Sequence, residues 1–300
     1  MKNAMQLKAY IKNMAKEKHI SAQIVLQNYM LERLLERISV SEYHDNFILK
    51  GGFLLAAMVG LDTRATMDMD ATIKGLSVTK ETISAMFIDI CGISIDDNIT
   101  FEFVNADDIR KDDEYGGYRV SLAGIYPPMS VPLKIDITTG DRITPREMNY
   151  SFNLMFEERS INVLAYTVET ILAEKLETII SRGDQNTRPR DFYDVYILNT
   201  LQKQNIDRNI LKEAFAATAK KRGTEHIAAN YKDIIETVAQ SSAMKNQWIR
   251  YQKEFDYAKD IRFEGTYEAV LDLMNAIDRD TVFIPKNQKR EIREKSEEKV

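Results

Sequence analysis

Three hundred residues, 44% of them hydrophobic and 29% charged, suffice for one large or two small globular domains without disulfides or a structural metal. A net charge of −5 argues against a surface coated with nucleic-acid-binding cations, and the single cysteine, Cys91, cannot form an internal disulfide. No apolar run approaches the ~20 residues of a membrane span, and Met1 leads into Lys2, Gln6 and Lys8 rather than an apolar signal segment, so a soluble cytoplasmic protein is expected.

The first forty residues predict two helices, the second opening at Ser21 and carrying Ile24, Val25, Leu31, Leu34, Leu35 and Ile38 at helical spacing. From Phe47 to about Asp141 the pattern shortens. Strand-like runs fall at Phe47 to Leu49, Asp68 to Ile73, Phe101 to Val104, Tyr118 to Leu122 and Val131 to Thr138, with turn residues between them and a helix near 79–90. This is an α/β or α+β unit. From Thr167 onward helices are expected over 168–182, 190–203, 207–221, about 227–256 and 267–277. These textures divide the chain into a core over 1–160 with its N-terminal helices, a helical part over 161–285, and a charged tail over 286–300 with almost no apolar residue.

The chemistry concentrates at Gly51-Gly52, a short apolar helix from Phe53 to Val59, and Thr66-Met67-Asp68-Met69-Asp70. In a strand Asp68 and Asp70 point to one face and Met69, Ala71 and Ile73 to the other, so two carboxylates share a site. Such neighbours repel unless a divalent cation lies between them, as a triphosphate-handling site requires. A pair of solvated aspartates on an exposed strand is the plainer reading of a bare D-x-D. The run Val131, Leu133, Ile135 and Ile137 forms an apolar face with Lys134 and Asp136 opposite, which makes Asp136 a candidate third ligand or a turn-proximal strand residue. Gly51 and Gly52 before a helix let backbone N–H groups approach a phosphate, though a glycine pair there also serves as a simple tight turn.

In the helix expected over 168–182, Lys175 lies on the apolar stripe of Ile171, Leu172, Leu176 and Ile179, and Arg182 continues that line. A lysine so placed either snorkels to solvent or faces an anionic site, and its replacement by methionine is expected to cost no stability. Asp191 and Asp194 share a face of the next helix, which opens after Pro189; Asp191 also suits the positive end of the helix dipole. From Lys175 to Arg222 ten Lys/Arg stand against six Asp/Glu, a local +4 that can meet phosphates or be a solvated helix face.

Together, Leu49-Lys50-Gly51-Gly52, Gly60-Leu61 with Arg64, Thr66, Asp68 and Asp70, Glu174-Lys175-Leu176 with Arg182, and Arg188 through Asp191, Tyr193 and Asp194 resemble the AbiEii/AbiGii nucleotidyltransferase toxins of abortive-infection and toxin–antitoxin systems. The resemblance implies an α+β, polymerase-β-like nucleotidyltransferase core with a mixed sheet, N-terminal helices and a large helical C-terminal domain completing the active site. It implies Mg²⁺ in a two-metal site at Asp68, Asp70 and Asp136, and nucleotide binding by Lys50, Gly51, Gly52, Arg64, Thr66, Lys175 and Arg182. Catalytic roles fall on Asp68, Asp70 and Lys175, with Asp194 or Asp191 orienting or deprotonating the acceptor. GTP is the favoured triphosphate, RNA or tRNA the expected acceptor, and growth arrest in phage defence, relieved by a separately encoded antitoxin, the expected outcome. Phe53 stands where small residues are usual, and Pro189-Arg190 replaces a basic pair. The competing readings are a nucleotide-binding regulatory or protein-interaction module without catalysis, and transfer to a protein or small molecule. A monomer is expected, since no heptad seam is visible.

Overall fold

Ser21 accepts a hydrogen bond from the backbone N–H of Ile24 and starts α2 (Ala22–Ser39), while Asn3 caps α1 (Ala4–Glu17) in the same way. The computed structural model describes residues 3–109 and 116–279; the charged tail expected over 286–300 lies outside the described residues. After α2 come β1 (Phe47–Lys50), α3 (Gly51–Val59), β2 (Met69–Ile73) and α4 (Lys80–Gly92), the last opened by a reciprocal Thr79–Thr82 capping box. Strands β3 (Thr100–Ile109), β4 (Gly117–Tyr126), β5 (Met129–Thr139), β6 (Met148–Asn153) and β7 (Ser160–Ala165) follow.

These seven strands form one mixed sheet in the order β3-β4-β5-β2-β1-β7-β6. β2 pairs antiparallel with β1 and parallel with β5, so Asp70 stands in register between Lys50 and Asp136. The other face of the same strands carries Met69, Ala71, Ile73, Leu133, Ile135 and Ile137, all buried, which is the alternation expected of a sheet covered on its apolar side. α2 packs on β5 and β7, α4 on β3 and β4, and α3 on β1 and β2.

The helical half comprises α5 (Val168–Arg182), α6 (Pro189–Leu201), α7 (Arg208–Arg222), α8 (Glu225–Ala228), α9 (Tyr231–Gln240), α10 (Ser242–Glu254) and α11 (Phe263–Arg279). Thr167 caps α5, and Pro189 sits in the first turn of α6, where its missing N–H costs nothing. Two sequence expectations change. The hairpin of β6 and β7 was not expected, because Met-Asn-Tyr-Ser-Phe-Asn buries only Phe152 fully and reads as polar loop. The long helix expected over 227–256 is three helices, interrupted near Asn230 and again at Ser241, whose side chain turns to cap α10. One hydrophobic cluster runs from Leu7 of α1 to Met274 of α11. Among the described residues no helix is long and apolar enough to cross a membrane.

Candidate active site

Gly51 begins α3 with φ +66°, a left-handed conformation in which glycine alone escapes steric penalty. A Cβ on Gly51 would come within 2.1 Å of Asp70 Oδ2, so the glycine is required by the carboxylate beside it as well as by the turn. The Gly52 N–H donates to the same oxygen at a long 3.4 Å. The start of α3, whose first amides have no partner within the helix, is thereby pressed against Asp70. Asp68 lies just before β2 and is exposed; Asp70 is half-buried.

Asp136 occupies the register position next to Asp70, as the sequence spacing predicts, and Arg119 of β4 holds both its oxygens, Nε to Oδ1 at 2.7 Å and the terminal nitrogen to Oδ2 at 2.8 Å. Burial pushes the Asp70 carboxyl above the ordinary carboxylate range; Lys50 opposes this, while Asp136 and Asp68 add to it. On the other flank Lys50 donates to Thr138 at 2.6 Å and to Asp141 at 2.5 Å. Against the burial that would raise it, Lys50, Thr138 and Lys221 hold Asp141 well below the usual range.

A second group lies beside the first. Arg64 is buried, donates through Nε to Asp194 at 2.6 Å and through Nη1 to the carbonyl of Ala65, and has its guanidinium under the Gly52 turn, where a Cβ on Gly52 would come within 3.3 Å of it and 3.0 Å of Thr66 Oγ1. Lys175 reaches Asp194 at 2.6 Å and Asp191 at 2.9 Å. The sequence left two fates for this lysine; its ammonium turns inward to carboxylates of its own chain rather than out to solvent. Burial works against its charge, yet Asp191 and Asp194 outweigh it and raise its pKa. Asp194 is fully buried, and Arg64 and Lys175 keep it ionised against that burial. Both its oxygens are engaged by cations and the side chain is fully buried, so it holds those cations in place and presents no surface to an acceptor hydroxyl. Asp191 differs: Oδ1 receives Lys175, but Oδ2 is buried with no hydrogen-bond partner.

The expected site residues therefore form two adjoining groups: Lys50, Gly51, Gly52, Asp68, Asp70 and Asp136 on the sheet, and Arg64, Lys175, Asp191 and Asp194 between the loop before β2 and helices α5 and α6. Thr66 joins them at the Gly52 turn. Arg182 stands apart, exposed at the end of α5, about 10 Å along the axis from Lys175. Phe53, the unusual residue after the glycines, is buried and stacks on Phe152 of β6 at 5.5 Å. Arg119 and Asp141 were missed. Arg119 lies on the non-core side of an alternating strand, a legible position, but its partner depends on strand pairing; Asp141 was hidden in a Thr-Thr-Gly-Asp turn.

Asp68 and Asp70 suit a divalent cation by donor chemistry, and Asp70, crowded by carboxylates and weakly hydrogen-bonded, has the capacity to take one. Among the described residues no group of three His, Cys, Asp or Glu side chains is assembled around one point, and Asp136 is engaged by Arg119.

A mixed sheet with a glycine-started helix over strand-borne carboxylates defines a nucleotidyltransferase-like, polymerase-β-like fold. A Helicobacter pylori crystal structure of a nucleotidyltransferase so named matches at a TM-score of 0.50 and 15% identity over 86% of this chain and 95% of its own. That of JHP933 from Helicobacter pylori matches at 0.50 and 15% over 86% and 91%. At that identity the likeness is one of fold. The family described as nucleotidyl transferase AbiEii toxin of type IV toxin–antitoxin systems matches residues 33–272, and the chain belongs to this family. No curated protein matches the chain.

Proposed function

We propose that this toxin-family transferase moves a nucleoside monophosphate from a nucleoside triphosphate, GTP by family resemblance, to an acceptor hydroxyl on RNA, with tRNA the first candidate, and that the resulting growth arrest serves phage defence under control of a separate antitoxin. It works in the cytoplasm as a monomer, its core over 1–160 together with the rest of β7 binding the triphosphate and the helices from α5 onward completing the site. The observation that carries the reading is the contact of Gly51 with Asp70, which sets a phosphate-binding helix start and a cation-binding carboxylate at one point.

A magnesium ion held by Asp68 and Asp70 would neutralise the triphosphate and polarise its phosphorus. The Gly51 and Gly52 amides donate to phosphate oxygens, with Thr66 at the same turn; Lys50, bonded to Thr138 and Asp141, contributes charge beside Asp70, and Arg182, apart at the end of α5, is left out of that path. Arg64 and Lys175, both anchored by Asp194, set the positive charge that favours the departing pyrophosphate. The acceptor oxygen bonds to the α-phosphorus as the bond to the pyrophosphate oxygen breaks, and its proton passes to Asp191, whose Oδ2 is buried without a partner in the free chain and must be uncovered as the acceptor binds.

The test incubates the protein with each of four labelled triphosphates, Mg²⁺ and total RNA. Label is expected in RNA with the wild-type chain and absent with Asp70→Asn, which keeps the side chain's shape and removes its charge. Label confined to protein or to a small molecule would overturn the RNA assignment, and full labelling by Asp70→Asn would overturn the carboxylate assignment.

A further inference from the structure

On one face of the sheet four charged residues stand in register across four strands: Arg119 on β4, Asp136 on β5, Asp70 on β2 and Lys50 on β1. The row reads positive, negative, negative, positive. Its two cations are committed differently. Lys50 leans away to Thr138 and Asp141, whereas Arg119 lays its planar fork on both oxygens of Asp136. Two of the ion pairs of the site also differ in how readily they open. Arg64 and Asp194 have side chains 3% and 0% exposed, so separating them strands a charge in the interior; Arg119 and Asp136 are 44% and 22% exposed, so the guanidinium has water to swing into.

We propose that Arg119 is a positioning residue that acts as the resident counter-cation of Asp136: it closes the second cation position of the site in the free protein and gives way when a second divalent ion arrives. The inference rests on the reading of Asp68 and Asp70 as cation ligands. With Arg119 in place, the free chain presents only Asp68 and Asp70 to a first ion. The fork offsets part of the Asp136 charge from the β4 side, away from Asp70, so these two register neighbours stand side by side without an ion between them. The second ion competes with a guanidinium that must be displaced, and its binding is weaker by the strength of that ion pair. Arg119 thus sets how much divalent ion, and how much charge brought by a triphosphate, is needed to complete the site.

The test is a Mn²⁺ titration of the full chain without nucleotide, following free Mn²⁺ by electron paramagnetic resonance. Arg119→Met is expected to leave the first binding event unchanged and to tighten the second by up to roughly fivefold, the upper end of what a partly exposed ion pair represents. Arg119→Lys, which keeps the charge and loses the fork, should fall between parent and Arg119→Met. Adding Asp136→Asn to Arg119→Met should abolish the gain. Thermal melting supplies a readout of the fold: Arg119→Met should melt lower than the parent without Mn²⁺ and recover more on its addition. Equal second-event affinity in parent and Arg119→Met would overturn the inference, and so would a gain that survives Asp136→Asn, since it would reflect general charge rather than this ion pair. Absence of Mn²⁺ binding in every protein would overturn the reading of Asp68 and Asp70 together with the inference.

Discussion

Asp191 and Asp194 lie three residues apart on one helix, yet their surroundings give them opposite tasks. Asp194 is sealed between Arg64 and Lys175, while Asp191 keeps one oxygen unpartnered beside the site. Lys175 is the hinge of this arrangement, and the expectation that methionine would replace it without loss does not survive the structure. Removing the ammonium leaves a fully buried Asp194 with Arg64 alone and strips Asp191 of its partner. Breaking one side of such a buried network costs about 3–5 kcal/mol, and Lys175→Met should melt lower by on the order of 10 °C. Calorimetry of Lys175→Met beside Lys175→Met/Asp191→Asn checks this: the double variant should recover part of the loss, and a single variant melting with the parent would remove the network from the account. At this scale the sequence was informative about position and silent about partners. The stripe of α5 put Lys175 on a core-facing side, and strand alternation put Asp68, Asp70 and Asp136 on one face, but which carboxylate meets which cation is decided by register and by helix packing.

Besides the Arg64–Asp194 pair, the two halves are tied together at the end of β5 and the turn after it. Thr138 and Asp141 receive Lys50 from β1, and Lys221 at the end of α7 donates to the carbonyl of Gly140 at 2.7 Å. Asp141 therefore links strand, turn and helix through charge, and acid should loosen the link. Its folded pKa lies below the unfolded value of about 3.9, so the unfolded chain takes up the proton first. The stabilisation is present above that pH and is lost as pH falls through the lower folded value. Asp194, lowered by Arg64 and Lys175, behaves with the same sign. Urea unfolding at pH 5 and pH 3 should show a smaller acid loss in Asp141→Asn than in the parent; an equal loss in both would remove Asp141 from the linkage. The same elements show where pattern reading succeeds. β5 and α5 are long and strongly periodic, and both stood out in the sequence at nearly their observed bounds. The β6–β7 hairpin did not, because the edge strand β6 buries only Phe152 fully and carries too few apolar residues to display a period of two, which left the alternating Ile161, Val163 and Ala165 of β7 without a legible partner.

Across the whole molecule the acceptor must be met by surface that the fold leaves available, and the cationic stretch from Lys175 to Arg222 is much reduced on that criterion. Lys175 is internal, Lys221 is held by Gly140 and Asp141, and Arg222 is bonded to Glu177 and to Thr178. Exposed cations remain at Arg182, Arg188, Arg190, Lys203, Arg208 and Lys220, with Arg190 stacked over Phe255 at 5.2 Å. Two residues at the end of α7 that look equivalent in sequence are therefore different tests of RNA binding. Arg222→Glu sets a carboxylate against the buried Glu177 and should lower the melting temperature, so reduced RNA binding by that variant carries no information about the surface. Lys220→Glu changes an exposed side chain and should leave melting unchanged. If the acceptor is single-stranded RNA running past α7, Lys220→Glu should weaken binding and reduce the slope of log affinity against log salt by about 0.7 for each phosphate that the protein ceases to neutralise, while triphosphate binding stays as in the parent. Filter binding from low to moderate salt measures both quantities, and an unchanged slope and affinity in Lys220→Glu would place the RNA path away from α7.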